Sequence, residues 1–188
     1  MRFDDIKEII LVDDKPSCYS DGGCGAVLRQ NRYKLIFSIL KEKMQNVERE
    51  YLILGDGTFE INNESEIPLQ IGVSSMSRFS GNPTAKRICD EIQFLSQDRT
   101  TLLLIDYILS DSIEKQDEGK TLACDIVSEL TSKSIIKLLY SVSSASKGDK
   151  KRVSELKSTC VFDFPMSSPA DAAEEIIRHL DKIDERVI

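Results

Sequence analysis

Histidine is almost missing from this chain: His179 is the only one among 188 residues. Ser-His-Asp or Cys-His catalysis and imidazole-built metal sites are disfavoured on that ground. The surrounding "EEIIRHLDKID" has a helical period, with His179 expected on the solvent side near the helix C-terminus. Cysteine is present but unorganised. Cys18, Cys24, Cys89, Cys124 and Cys160 make an odd set with no CxxC spacing, which argues against a disulfide framework or a zinc site. The last three lie among apolar neighbours and read as small core residues. Basic clusters are scarce too. The net charge is −7 and the pI about 4.9, so nucleic acid is a poor partner, because neutralising phosphates supplies most of that affinity. The densest basic stretch, Lys147, Lys150, Lys151 and Arg152, reads as a solvated helix start. No apolar run approaches the length of a membrane span, and the start lacks a basic segment followed by an apolar one. These absences lead to an expectation of a reducing, cytoplasmic compartment and no membrane partner.

What is present is an alternation of apolar runs and helical patterns. "EIILVDD" (8–14) and "TTLLLID" (100–106) are continuous apolar runs that end in acids. Such runs suit central parallel strands covered on both faces. In "NRYKLIFSILKEKMQNVE" (31–48), Tyr33, Ile36, Leu40, Met44 and Val47 share one stripe of a helix. Helices are also read at 82–98, with Asn82 as N-cap and Pro83 first in the helix, at 119–130, at 147–158, and at 168–184, with Ser168 as cap. Further strands are read at 134–144 and 159–165. Residues 49–81 depart from the alternation: they hold two strand candidates, at 50–57 and 67–75, and no clear helix. The pattern predicts one α/β domain over 1–188, a flavodoxin-like doubly wound parallel sheet of order 2-1-3-4-5, with an inserted hairpin or loop at about 49–81.

In such a sheet, sites form beyond the carboxyl ends of the strands where the strand order reverses. The flavodoxin-like order makes the first and third strands neighbours. Asp13 and Asp14 would then meet Asp106 at one rim. Three carboxylates that close repel unless a cation joins them, and Mg²⁺ suits a site of few carboxylates plus waters.

On these residues the sequence resembles the receiver domain of two-component response regulators. "IILVDDKP" resembles the first strand and acidic pair, and "LLLIDYILSD" the third strand. The resemblance implies that Asp106 accepts a phosphoryl group, that Asp13 and Asp14 help hold Mg²⁺, and that Ile108 supplies a backbone carbonyl to it. It implies that Ser141, in "IIKLLYSVSS", is the hydroxyl switch residue, and that Gly119 is the glycine before the next helix. "VFDFP" resembles the fifth strand and its proline, implying a cis bond before Pro165. The implied partner is a histidine kinase or a phosphotransfer protein, or another signalling protein. With no effector domain after the last helix, output is expected through protein contacts.

Departures accompany the resemblance. The family has a lysine directly before the proline, and Phe164 stands there. The loop from Asp106 to Gly119 is long, and its acids Asp111, Glu114, Asp117 and Glu118 read as solvated. An alternative therefore stands beside the phosphorylated receiver: a pseudo-receiver that acts by protein contact alone. Two remote alternatives are enzymes. A metal-dependent nuclease would use Asp106, Glu118 and Lys120 as a D…ExK set, which needs the ExK on a strand. A phosphatase built on Asp13 would want an acid two residues on, where Lys15 stands. Gly22, Gly23 and Gly25 match no phosphate-loop spacing and read as a lid over the acids.

Overall fold

The computed structural model describes residues 5–14, 24–61, 68–76, 84–97, 99–110, 113–156 and 159–184. Within them the chain forms β1 (Glu8–Val12), α1 (Cys24–Lys43), β2 (Arg49–Leu54), β3 (Gly57–Glu60), β4 (Leu69–Gly72), α2 (Ala85–Ser96), β5 (Thr101–Asp106), α3 (Gln116–Glu129), β6 (Ile135–Tyr140), α4 (Lys147–Glu155), β7 (Thr159–Val161) and α5 (Pro169–Asp184). A 3-10 turn, Ile113–Lys115, leads into α3.

The sheet is mixed, with seven strands in the order β4-β3-β2-β1-β5-β6-β7. The expected five-stranded order 2-1-3-4-5 is therefore not that of the sheet. Two antiparallel strands, β3 and β4, extend it beyond β2. Residues 49–54 form β2, which pairs in parallel with β1 from Glu8↔Arg49 to Val12↔Ile53. The departure from the alternation starts only at the turn at 55–56, which leads into β3. The β3 strand is tied to α2 by Glu91, whose carboxylate accepts from the Thr58 hydroxyl and from the Ser75 backbone N–H.

Alternate strand residues go to opposite faces, and both faces are covered. Ile9, Leu11, Leu52, Leu102, Leu104 and Leu138 pack with α1 and α5. Ile10, Val12, Ile53, Leu103, Ile105 and Leu139 pack with α2 and α3, and Val153 of α4 joins them. β1 lies between β2 and β5, and β5 between β1 and β6, as their two-sided apolar runs require. The α1 stripe of Tyr33, Ile36 and Leu40 is buried, with Met44 and Val47 just beyond the helix.

Several boundaries differ from the sequence reading. The N-cap of α2 is Thr84, whose hydroxyl accepts from Arg87 N–H at 3.4 Å; Asn82 and Pro83 lie outside the described residues. α1 starts at Cys24 rather than 31, and α3 at Gln116 rather than 119. His179 is half-buried rather than solvent-facing, with Nδ1 2.8 Å from the carbonyl oxygen of Glu175. Cys89 and Cys124 are buried and Cys160 is half-buried. Among the described residues no helix is long and apolar enough to cross a membrane.

Candidate functional site at the carboxyl ends of β1, β5 and β6

The chain leaves β1 towards β2 and returns on its other side as β5, so strand order reverses between β1 and β5. Both strands run in parallel register, Leu11 against Leu104 and Val12 against Ile105, which brings Asp13 beside Asp106 at their carboxyl ends. The register continues into β6, where Asp106 pairs with Tyr140. Asp13, Asp106 and Tyr140 thus stand in a row across three strands, following Leu11, Leu104 and Leu138 on the face covered by α1 and α5.

One carboxylate oxygen from each of Asp13, Asp14 and Asp106 lies within 4.8 Å of the others. Asp13 is buried and the other two are half-buried. At that spacing each pair of charges repels by about 3.5 kcal/mol at an effective dielectric near 20. Local donors reduce the cost. Tyr33 of α1 donates its hydroxyl to Asp13, and the Ile108 N–H donates to Asp106 Oδ1 at 2.9 Å.

Tyr140 is the residue that sequence reasoning missed. It is 2 % exposed, and its hydroxyl has no hydrogen-bond partner among the described residues. Burial, followed by the charges of Asp13, Tyr33, Asp106 and Asp14, raises its pKa well above the ordinary phenol value. The hydroxyl therefore keeps its proton and remains a donor. Its signal in the sequence is the parallel register itself: once β5 and β6 are aligned, the partner of Asp106 is Tyr140, one residue before Ser141.

The donor set suits a hard cation. Asp13, Asp14 and Asp106 would hold such an ion, which would offset their mutual repulsion. The carbonyl of Ile108 accepts from Ser110 N–H at 2.9 Å, which leaves one of its two lone pairs for a ligand.

Ser141 is buried and held by its own loop. Its hydroxyl accepts from Ser143 N–H at 3.2 Å, its N–H donates to the Val161 carbonyl at 2.8 Å, and its carbonyl accepts from Phe164 N–H at 2.9 Å. Asp163, at φ 55°, makes the turn that brings Phe164 back to the sheet. Phe164 is buried against Tyr140, with ring centroids 5.0 Å apart. The ring of Phe164, directly before Pro165, is thus packed on the site's own tyrosine. The bond before Pro165 is trans, against the expectation from the resemblance.

A second polar group adjoins the first on the opposite face. The hydroxyl of Tyr107, the residue after Asp106, donates to Asp149 Oδ1 at 3.1 Å, and Lys120 Nζ is 3.0 Å from the same oxygen. Asp149 and Ser146 form the capping box of α4. Burial works to raise the Asp149 pKa, but hydrogen bonds from the Ser146 hydroxyl, Lys120, the Ser146 N–H and Tyr107 outweigh it and hold the group well below the usual carboxylate range. Burial and the bond to Asp149 push the Tyr107 phenol up.

The nuclease set is not assembled on a strand. Glu118 and Lys120 both lie in α3, Glu118 exposed and Lys120 engaged by Asp149. Glu114 and Asp117 are exposed, as read from the sequence, and Asp111 lies outside the described residues. So do Lys15, Cys18, Gly22 and Gly23. No family model matches this chain, and no curated protein matches it.

Proposed function

We propose that this chain is a receiver-like signalling module that accepts a phosphoryl group on Asp106 with Mg²⁺ and passes the modified state on through protein contacts. The observation that carries the reading is the meeting of Asp13, Asp14 and Asp106 within 4.8 Å at the point where strand order reverses. The fold supports it at a finer level. With β3 and β4 set aside, five parallel strands remain in the order β2-β1-β5-β6-β7, the flavodoxin-like arrangement.

Asp13, Asp14, Asp106 and the Ile108 carbonyl would hold the metal, which supplies charge stabilisation to the phosphoryl group in transit. An Asp106 oxygen forms the new P–O bond while the P–N bond of a phosphohistidine donor breaks, its electron pair leaving on the imidazole nitrogen. Ile108 N–H fixes the other Asp106 oxygen and so orients the nucleophile. The partner is a histidine kinase or phosphotransfer protein, in the cytoplasm.

A second reading has its own observation. Phe164 lies buried where the family has its lysine, which favours a pseudo-receiver that binds partners without phosphorylation. One experiment separates the two. Mg²⁺ is titrated against the labelled protein, and acetyl phosphate or beryllofluoride is then added while amide shifts and intact mass are followed. A Mg²⁺ response and an adduct, both lost in Asp106→Asn, support the phosphorylated receiver. Absence of any response at millimolar Mg²⁺ overturns it in favour of the pseudo-receiver.

A further inference from the structure

We propose that the Tyr140 hydroxyl is the hydrogen-bond donor to the phosphoryl-type anion carried by Asp106, a neutral donor serving where a lysine ammonium is lacking. The inference rests on the reading of Asp106 as phosphoryl acceptor and adds a residue that the receiver resemblance does not supply.

Three observations converge on Tyr140. Parallel register places it directly beside Asp106, on the same face of the sheet. Its ring is fixed between the sheet and Phe164, so the hydroxyl has little freedom to seek a partner elsewhere. That hydroxyl is buried with its hydrogen bond unmade, although buried hydroxyls are almost always satisfied. An unmade bond at a site of clustered acids marks a place where an oxygen is still to arrive.

The two tyrosines at the site divide the work. Tyr33 already donates its hydroxyl to Asp13 and so sets the geometry of the metal-binding acids. Tyr140 holds its proton in reserve, because its buried hydroxyl has no partner of its own. A phosphoryl oxygen on Asp106 would arrive charged, and bonds between a neutral donor and a charged acceptor are the stronger kind. Phe164 then acts as the wall that holds Tyr140 in place and keeps water off the bond.

The test is Tyr140→Phe in the full chain, which removes one oxygen and keeps the packing. A hydroxyl with no partner contributes nothing to the free protein, so the melting temperature should stay level or rise. Mg²⁺ affinity should stay within about threefold of the parent, because the three acids are untouched. Beryllofluoride affinity in saturating Mg²⁺ should fall about tenfold or more, the loss expected for a hydrogen bond to a charged group. In the parent protein with ring-labelled tyrosine, the Tyr140 Cζ resonance should move on adding beryllofluoride. Unchanged beryllofluoride affinity in Tyr140→Phe, or a Tyr140 resonance that stays put, overturns the inference and leaves the Asp106 reading standing. A parent protein that binds Mg²⁺ but never beryllofluoride overturns both.

Discussion

The hydroxyl of Tyr107 donates to the carboxylate of Asp149 at 3.1 Å, across 42 residues of sequence. That bond joins the residue after Asp106 to the capping box of α4, so the site and this helix share one polar group. Tyr107→Phe should destabilise the fold by about 1–2 kcal/mol, since the donor is lost while Asp149 keeps Ser146 and Lys120. Amide exchange at the start of α4 should quicken in the same variant, and urea unfolding together with hydrogen exchange reads both effects.

Two buried glutamates and Asp149 give stability opposite pH slopes. Burial is the chief cause that raises Glu8, with Arg99 and Arg49 pulling it back, and burial likewise raises Glu50 against Lys41. Each binds its proton more readily folded than unfolded. Their contribution is therefore complete below the ordinary value of 4.5 and is lost as pH rises through the raised one. Asp149 behaves in reverse: its contribution is present above the ordinary 3.8 and is lost as pH falls below it. Glu8→Gln should flatten the decline in unfolding free energy from pH 4.5 upward, and Asp149→Asn should remove part of the acid-side loss. Urea melts at a series of pH values would show each slope separately.

Gly119 of α3 has no room for a side chain. A Cβ there would lie 2.8 Å from the backbone carbon and oxygen of Leu109, in the loop that follows Asp106. Neither atom can step aside as a flexible side chain would. Gly119→Ala should cost about 1–3 kcal/mol by overpacking. It should also displace the loop that carries Ile108, so Mg²⁺ affinity should fall along with the melting temperature. A variant of full stability and unchanged Mg²⁺ binding would contradict this packing.

Lys137 sits within β6, yet its ammonium reaches the Val127 and Leu130 carbonyls at 2.9 and 2.7 Å. It thus closes the C-terminal end of α3, where free carbonyls and the helix dipole favour a cation. Burial lowers its pKa, partly offset by Cys89. Lys137→Met should destabilise by about 1–3 kcal/mol through the two orphaned carbonyls, as measured by chemical denaturation.

The chain declares some parts of the molecule locally and others only through packing. β1 and β5 are legible because each is an unbroken apolar run that ends in acids, and their neighbourhood follows from the crossover pattern. Asp13, Asp14 and Asp106 are legible for the same reason. β2 reads as part of an insertion because no helix follows it, and its partner β1 lies 41 residues away, from Glu8 to Arg49. Thr84 is hidden as a cap because Asn82 and Pro83 offer a stronger local pattern. Lys137, Tyr107 and Tyr140 carry no local signal. Each acts through a residue on another element, so its role exists only once the register and helix packing are fixed.

The first strand carries an acid at each end. At the amino end Glu8 is fully buried, with Arg99 Nη1 3.3 Å from one oxygen and the Thr101 hydroxyl 3.5 Å from the other. At the other end, about 17 Å along the strand, Asp13 opens the acidic cluster. One short, rigid segment therefore bears two carboxylate reporters, one for the integrity of the fold and one for events at the site. With both side chains isotope-labelled, a signal change at Asp13 alone marks a ligand, while a change at both marks loosening of the whole sheet. The molecule thus contains its own internal reference, and a ligand titration of the cluster at constant pH can be normalised against a spectator five residues away.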